Sequence, residues 1–211
     1  MSLNAPRWQR RSEDRPREIC GAALELFAQR GFAGTRVDDI ASRAGVSKGT
    51  LYLYFKDKEE IFSAVVRNTV APNIAMIRES VAATDMPFRL LIYALVERFV
   101  DMAERLPIGA VAKIVIGESR NFPELAKVYH DLVVSEAIAI VSDLIGKAQA
   151  KGEVRPGDAR LYAMTLIGPM LMALLWRETF EPIGAEPVSL KALARQHASA
   201  ALAGLLTEQA R

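Results

Sequence analysis

The run of residues 31 to 58 constrains the fold of this chain most, because it contains two short amphipathic segments separated by one glycine. In the first segment, apolar residues recur at intervals of three and four positions, which predicts one face of a helix: Val37, Ile40, Ala41 and Ala44. Gly45 follows at once, where a left-handed backbone ends a helix without steric cost. Ser47 is expected to cap a second helix that buries Leu51 and Phe55.

The second helix leaves an outward face whose side chains suit a DNA groove. A helix-turn-helix places its second helix in the major groove and lets the first cross the backbone. Lys48 and Thr50 would meet base edges, Gly49 would let the backbone approach closely, and Leu53 suits a thymine methyl group. Other side chains suit phosphate oxygens: Tyr52, Tyr54 and Lys58. The alternative is that these tyrosines are ordinary half-buried aromatics and the lysines part of a solvated face.

The residues from the first helix to the start of the fourth resemble those of a known family of DNA-binding proteins. The run GFAGTRVDDIASRAGVSKGTLYLYFKDKEEIF, preceded by REICGAALELFAQR, closely resembles the DNA-binding signature of the TetR (tetracycline-repressor-like) transcriptional regulators. The resemblance implies an all-α homodimer of about nine helices, with an N-terminal three-helix helix-turn-helix DNA-binding domain and a C-terminal helical ligand-binding and dimerisation domain. It also implies the DNA-binding residues: Arg36, Ser47, Lys48, Gly49, Thr50, Tyr52, Leu53, Tyr54 and Lys58.

We expect three regions: a basic N-terminal arm (1–14), the helix-turn-helix domain (15–56) and the ligand-binding and dimerisation domain (57–211). The net charge of +2 excludes a polybasic nucleic-acid coat. The small surplus lies in residues 1–60, which hold 11 Lys and Arg against 9 Asp and Glu. The arm is expected to be disordered alone. It either follows the DNA backbone or minor groove, or is a solvated tail without function.

Beyond residue 56 the pattern stays helical, and no period-2 stretch predicts a strand. Asp57 with Glu60 forms a capping box that opens a long helix toward Ser80. Further helices are expected over 88–105, 108–119, 121–150, 158–180 and 189–206. In the first domain, Thr35 is expected to cap the helix that begins near Val37.

The last two helices, about 158–180 and 189–206, are expected to form a homodimer interface, because each carries an apolar stripe. Intrachain core packing explains the same stripes. The most apolar stretch, Leu166 to Trp176, is expected to be a buried helix too short to span a bilayer, so no membrane partner is predicted. The single Cys20 and the lack of a secretory signal favour the cytoplasm.

The regulatory pocket is predicted less directly. The family resemblance implies a cavity among the middle helices and the first helix of the dimerisation pair. Size and inward spacing indicate eight candidate ligand-binding residues, with core packing as the alternative for each: Tyr93, Phe99, Met102, Ile114, Glu118, His130, Met170 and Trp176. The phrase VIGESRNFPELAKVYHDLV resembles a C-terminal subtype found in many repressors of efflux or stress genes. A mainly apolar pocket would take a hydrophobic or aromatic effector.

These observations predict a transcriptional regulator, most simply a repressor that binds a palindromic DNA operator as a homodimer and is released by a small-molecule effector. Activation in place of repression stays open. One alternative is a helical protein-interaction adaptor. The other is a small-molecule enzyme using Glu118 and His130, although no HExxH, GxSxG or cysteine-pair metal motif occurs. No catalytic residue, metal site or cofactor is predicted.

Overall fold

A computed structural model describes residues 7–82 and 84–210, with side chains from residue 14 onward. In these ranges the only extended pairing is an isolated antiparallel bridge between Val154 and Leu206, so the predicted all-α class is confirmed. The helices are α1 Arg7–Arg30, α2 Val37–Arg43, α3 Lys48–Tyr52, α4 Lys58–Val65, α5 Ala71–Ala82, α6 Phe88–Arg105, α7 Ile108–Glu118, α8 Pro123–Tyr129, α9 Ser135–Ala150, α10 Ala159–Thr179 and α11 Leu190–Leu205.

Two of the long predicted helices contain a wider turn. A π turn, Val66–Val70, joins α4 to α5, and a second, His130–Val134, joins α8 to α9. Pro72, in the first turn of α5, has no backbone N–H and cannot donate to the carbonyl of Asn68. Asn68 lies inside the first π turn, so the proline is associated with the wider turn there. Counting each of these joined pairs as one helix, the described residues contain the nine helices that were expected.

The predicted helix starts are largely confirmed by their caps. Ser47 Oγ accepts the N–H of Thr50, and Asp57 Oδ1 accepts the N–H of Glu60 at 2.7 Å. The expected cap at Thr35 is wrong, because Arg36 occupies that position at the start of α2. The buried hydroxyl of Thr35 instead donates to the carbonyls of Leu26, near the end of α1, and of Gly31, directly after it.

The expectation for the N-terminal arm is wrong where the structure describes it. Helix α1 begins at Arg7, so residues 7–14 are helical and not a separate disordered segment; residues 1–6 lie outside the described residues. The part of α1 that is buried from Ile19 onward nucleates the helix, so further turns can be added toward the N-terminus without a new nucleation cost. Pro16 lies within this extension and has no N–H, so one bond of the helical series is missing there.

The first compact unit comprises the described residues up to Thr69 together with residues Ile114–Tyr129. Its core contains an aromatic cluster in which the rings of Phe27, Phe32 and Phe62 lie 5.3 to 5.9 Å apart. Helix α4 packs on α1 and on α8 in this unit. The unit therefore contains α4 and residues 114–129 in addition to the helices of residues 15–56.

The second unit comprises Val70–Lys113 and His130–Arg211. Helix α10 packs on α9 and α11, and α6 packs on α11. Much of the apolar stripe predicted on α11 is intrachain core, since Ala194 and Leu205 are buried and three further members pack on the same clusters: Leu190, Leu193 and Ala201. Helix α10 differs, because large side chains on one of its faces are exposed: Leu161, Met164, Leu171 and Met172.

The expectation that the most apolar stretch is a short buried helix is wrong in both respects. The segment Ala159–Ile183 is 25 residues long and apolar enough to cross a membrane by length and composition. Only 28% of the apolar 18-residue stretch within it is buried. Core helices of soluble proteins pass the same test, so the finding is weak evidence for a membrane. What it establishes is an uncovered apolar face on α10.

Candidate nucleic-acid interface

The turn before α3 fixes how this helix is presented. Gly45 adopts a φ of +67°, and the N–H of Val46 donates to the carbonyl of Ala41 at 3.0 Å, which closes the end of α2. Leu51 and Phe55 are buried beneath α3. At the start of the helix, the hydroxyl oxygens of Ser47 and Thr50 lie 2.8 Å apart. The helix is therefore anchored on its inner side and capped at its first turn.

The outer side of α3 carries most of the residues predicted to bind DNA. Leu53, at the C-terminal end of the helix, is 82% exposed, and Tyr52 beside it is 45% exposed. Lys48 and Gly49 are also exposed, whereas Thr50 and Tyr54 are half-buried. Arg36 is exposed at the N-terminal end of α2, where its side chain forms no capping hydrogen bond.

Gly49 has no structural requirement within the protein. A Cβ atom built at this position would meet only Ser47 Oγ, at 3.8 Å, which is ordinary van der Waals contact. The backbone is not in the left-handed region, so alanine would also be tolerated conformationally. A glycine that weakens an exposed helix without being needed by the fold indicates a constraint from outside the chain.

Acidic side chains accompany the cations on this side of the first unit. Lys48 Nζ lies 2.7 Å from Asp38 Oδ1, and this hydrogen bond raises the pKa of Lys48. Arg30 pairs with Asp39 at 3.3 Å, in the same turn of α2 as Asp38. Since both partners of each pair are largely exposed, water and salt screen them strongly. A phosphate group can therefore compete with Asp38 for Lys48.

Lys58 is placed differently from the other predicted DNA-binding residues. Its amine donates to the carbonyls of Phe32 and Thr35, at 2.6 and 3.0 Å, and lies 4.4 Å from the centroid of the Phe32 ring. Burial lowers the pKa of Lys58, and the charges of Glu59 and Glu118 oppose this shift. These partners were not predicted from the sequence, because two of them are backbone carbonyls.

Six of the eight candidate ligand-binding residues lie in the second unit: Tyr93, Phe99, Met102, His130, Met170 and Trp176. Phe99 packs on the cluster that contains the buried Met170, so the structure brings these two together. Tyr93 packs on a different cluster of the same unit. Trp176 donates from Nε1 to the carbonyl of Glu186 at 3.0 Å and contacts the Phe180 ring.

The remaining candidates, Ile114 and Glu118, lie in the first unit. Ile114 is buried there, and the charge of Glu118 acts on Lys58. In the second unit, the exposed His130 places Nδ1 2.9 Å from Asp131 Oδ1. Glu118 and His130, the pair named for an enzymatic alternative, thus each interact with another charged group of their own unit.

The second unit also has a surface cavity that the sequence did not reveal. It has a volume of about 390 Å³ and is lined by Gln149, Gly152, Val154, Pro156, Gly157 and Thr207. None of the eight candidate ligand-binding residues contributes to it. Within residues 7–82 and 84–210, no group of three or more His, Cys, Asp or Glu side chains is arranged to hold a metal ion.

Two family models match the chain in the regions that form these units. Residues 19–65 match the model described as bacterial regulatory proteins, tetR family, and residues 92–190 match the tetracyclin repressor-like C-terminal domain. The helix-turn-helix and the helical second unit thus define a bacterial transcriptional regulator and not an enzyme. The chain belongs to the TetR family.

Named regulators from other bacteria are similar to this chain over most of its length. The fatty acid metabolism regulator protein of Bacillus subtilis is 26% identical over 72% of this chain and 77% of its own length. The HTH-type transcriptional regulator RutR of Escherichia coli K12 is 28% identical over 76% of this chain and 70% of its own length. Both are regulators by name, which agrees with the family.

Solved structures share the fold. A TetR-family regulator from Mesorhizobium loti has a TM-score of 0.72 and 25% identity, covering 93% of this chain and 99% of the other. SmeT, the repressor of the Stenotrophomonas maltophilia multidrug efflux pump SmeDEF, was solved in complex with triclosan. In that complex it has a TM-score of 0.74 and 21% identity, covering 93% of this chain and 94% of SmeT. The predicted architecture, an N-terminal helix-turn-helix domain followed by a helical C-terminal domain, is confirmed.

Proposed function

We propose that this regulator is a cytoplasmic homodimeric repressor that binds a palindromic operator and is released by a small hydrophobic or aromatic effector. In this proposal residues 15–56 form the DNA-binding domain and 57–211 the ligand-binding and dimerisation domain. One observation carries the DNA-binding part. Helix α3 holds Lys48, Tyr52 and Leu53 exposed over a buried inner face, beside a glycine that the fold does not need.

The proposed contacts follow from the chemistry of each exposed group. Lys48 and Thr50 read base edges from the first turns of α3, and Leu53 meets a thymine methyl group. Phosphate oxygens are bound by a second group: Arg36, Ser47, Tyr52 and Tyr54. Gly49 allows the helix backbone to approach the groove. Lys58 was predicted to bind phosphate, but its two carbonyl partners support a role within the protein.

The dimer is supported by the uncovered apolar row of α10. Two copies of this face, related by a two-fold axis, would bury one another and hold two α3 helices about one DNA turn apart, roughly 34–36 Å. The second helix predicted at this interface, α11, contributes an exposed side of small residues, which permits close approach: Ala192, Ser199, Ala200 and Gly204.

An apolar effector is supported by the residues of the second unit and by the names of similar proteins. Phe99, Met170 and Tyr93 are candidate contacts within its apolar clusters. One relative is a regulator of fatty acid metabolism, and SmeT has been solved with triclosan. Binding of such a compound would shift the dimer toward a state with lower operator affinity. The capping-box helix that begins at Lys58 is the proposed moving element.

The experiment that tests DNA binding is selection of duplexes from a random-sequence pool by the purified protein. We expect an inverted repeat whose half-site centres are about 10–10.5 base pairs apart. Lys48→Ala combined with Tyr52→Ala should abolish binding to the selected duplex and leave the circular dichroism spectrum unchanged. A protein-interaction adaptor would enrich no sequence and would tolerate both substitutions.

The effector is tested by adding triclosan and a series of saturated fatty acids to the protein bound to its selected duplex. We expect at least one compound both to raise the unfolding temperature of the free protein and to release the duplex. If every compound that binds the protein leaves its affinity for the duplex unchanged, release by a hydrophobic effector is wrong.

A further inference from the structure

The amine of Lys58 already makes three interactions within the protein. A lysine ammonium has three N–H donors and no acceptor. Two of these directions are taken by the carbonyls of Phe32 and Thr35 at 2.6 and 3.0 Å. The face of the Phe32 ring lies 4.4 Å from the nitrogen, within the range of a cation–π contact. Binding a phosphate would therefore require the amine to give up one of these three interactions.

The two carbonyls belong to the connection between α1 and α2. Gly31 turns the chain with a φ of +72°, and the carbonyl of Phe32 also accepts the N–H of Thr35 at 3.3 Å. The Thr35 hydroxyl donates to the carbonyls of Leu26 and Gly31. Lys58 thus bonds a short turn that has few ways to move, and it does so from α4, a different helix.

The Thr35 carbonyl directly precedes Arg36, the first residue of the proposed DNA-binding surface. Arg36 has extended backbone angles at the start of α2, and no side-chain hydrogen bond caps the helix there. The Arg36 carbonyl accepts the N–H groups of Asp39 and Ile40 in the first turn of α2, so the helix holds one side of this residue. The bond from Lys58 to the Thr35 carbonyl holds the peptide group on the other side. The position of Arg36 relative to α3 therefore depends on Lys58.

The Phe32 ring that Lys58 contacts is packed in turn against Phe122, from the segment Ile114–Tyr129 of the first unit. The rings of Phe32 and Phe122 lie 4.9 Å apart in an edge-to-face arrangement at 70°. Glu118, one turn earlier in the same segment, interacts electrostatically with Lys58. The segment thus supports both the ring and the charge of the Lys58 site.

We propose that Lys58 is a positioning residue for operator binding: it fixes the α1–α2 connection, and through it Arg36, without contacting phosphate. Phe122 holds the Phe32 ring against which Lys58 lies. This inference rests on the proposed DNA-binding function and adds a role within the same surface. It replaces the expectation that Lys58 binds phosphate directly.

The salt dependence of duplex affinity separates the two roles. Removing one lysine that neutralises a phosphate reduces the slope of log affinity against log salt by about 0.9. We expect Lys58→Met, which keeps the side-chain length and removes the donors, to weaken binding of the selected duplex about ten-fold. Because Arg36 is itself proposed to bind phosphate, the slope is compared in an Arg36→Ala background, where Lys58→Met should leave it unchanged. A slope reduced by about 0.9 or more in that background, or an unchanged affinity of the single variant, would overturn the proposal.

A double-mutant cycle with Arg36→Ala shows whether Lys58 acts through Arg36. We expect Lys58→Met to reduce affinity much less in the Arg36→Ala background than in the wild type, measured where circular dichroism shows all variants folded. Equal reductions in both backgrounds would overturn the positioning role. Lys56→Met is the matched control: this lysine is 79% exposed and only loosely paired with Asp57, so its removal should not couple to Arg36.

If Lys58→Met fails to fold, Lys58→Arg can distinguish a positioning role from a direct phosphate contact. Arginine keeps the charge, so a phosphate contact would be preserved and affinity would stay near wild type. Its guanidinium is planar and carries its donors in a fixed fork, so it does not reproduce the bonds of the ammonium to both carbonyls and the ring, and the positioning role predicts weaker binding. Failure of the wild type to select any duplex would instead refute the proposed function itself.

Discussion

Helices α3 and α10 both carry apolar side chains in solvent, but the surroundings of these side chains differ. Leu53 at the end of α3 is isolated among groups that donate hydrogen bonds, including Lys48 and Tyr52. Helix α10 instead exposes a row of leucine and methionine side chains, with no charged residue in the sequence between Arg160 and Arg177. An isolated apolar group suits a DNA groove, whereas a continuous apolar row suits another apolar protein surface.

Exposure alone therefore does not identify the partner of a surface. The α3 surface combines base-reading and phosphate-binding groups within one short helix. The α10 surface offers area for burial and few hydrogen-bonding groups. Each assignment predicts a different response to a change of charge. A negative charge added to α10 would disrupt apolar packing, whereas a negative charge removed near α3 would reduce repulsion from phosphate.

The largest effect is expected from a charge placed in the apolar row of α10. Met172→Glu should convert the dimer to monomers and weaken duplex binding more than 100-fold, because an unpaired charge buried at an interface costs about 3–5 kcal/mol. Sedimentation velocity measures the oligomeric state, and fluorescence anisotropy measures binding to the selected duplex. Met172 is 52% exposed, so the substitution should leave the protomer folded.

Met76→Glu is the control for this prediction. Met76 lies on α5 and is 59% exposed, so it receives the same substitution at similar exposure outside the proposed interface. It should leave both the dimer and duplex binding unchanged. A dimer that survives Met172→Glu would show that the uncovered face of α10 meets something other than a second copy.

A smaller effect, with opposite signs in two measurements, is expected from Gly49→Ala on α3. The protein should become more stable by about 0.5–1 kcal/mol, because alanine is the better helix former and meets no clash. Duplex affinity should nevertheless fall about ten-fold or more, since the added methyl group stands between the helix and the groove. If affinity is unchanged, close approach of the backbone at Gly49 is not part of recognition.

A few-fold increase in affinity is expected from Asp38→Asn. The change removes a negative charge close to the DNA and frees Lys48 from its 2.7 Å ion pair. The gain should be largest at low salt, where exposed charges are least screened. Asp39→Asn is the matched control, because it lies in the same turn of α2 but pairs with Arg30. An equal gain from both would indicate a general charge effect and not the release of Lys48.

Much of the first unit could be predicted because its signals are local. Gly45, Ser47 and Asp57 mark helix ends through backbone geometry and capping, which depend on neighbouring residues only. The inward spacing of Leu51 and Phe55 then determines which side of α3 is exposed. The partners of Lys58 could not be predicted in the same way, because backbone carbonyl groups are present at every residue and carry no sequence signal.

The second unit was less predictable because its packing is long-range. Apolar periodicity showed that α10 and α11 each have a hydrophobic side, but not which partner covers it. The stripe on α11 is largely intrachain core, while that on α10 is largely open. The contact between Phe32 and Phe122 likewise joins distant parts of the chain, so nothing near either residue indicated that the segment 114–129 belongs to the first unit.

The smallest effect at neutral pH is expected in that segment, at Tyr129. Burial alone raises the pKa of Tyr129 to about 12. Tyr129→Phe should change the free energy of unfolding at pH 7 by less than about 0.5 kcal/mol. The described residues provide no charge-stabilising partner for the Tyr129 hydroxyl, so its removal is nearly neutral. Urea unfolding followed by circular dichroism measures the difference.

The same substitution should matter more at high pH. The unfolded chain releases the Tyr129 proton near pH 10 and the folded chain near 12, so below pH 10 both states are protonated and stability is unaffected. As the pH rises from 10 to 12, the wild type loses up to about 1.4 kcal/mol per pH unit relative to Tyr129→Phe. The phenolate absorbance of the wild type should contain a component near 12 that the variant lacks. Parallel stability curves for the two proteins would show that folding does not shield the half-buried Tyr129 from water, and that the segment 114–129 packs loosely on the rest of the first unit.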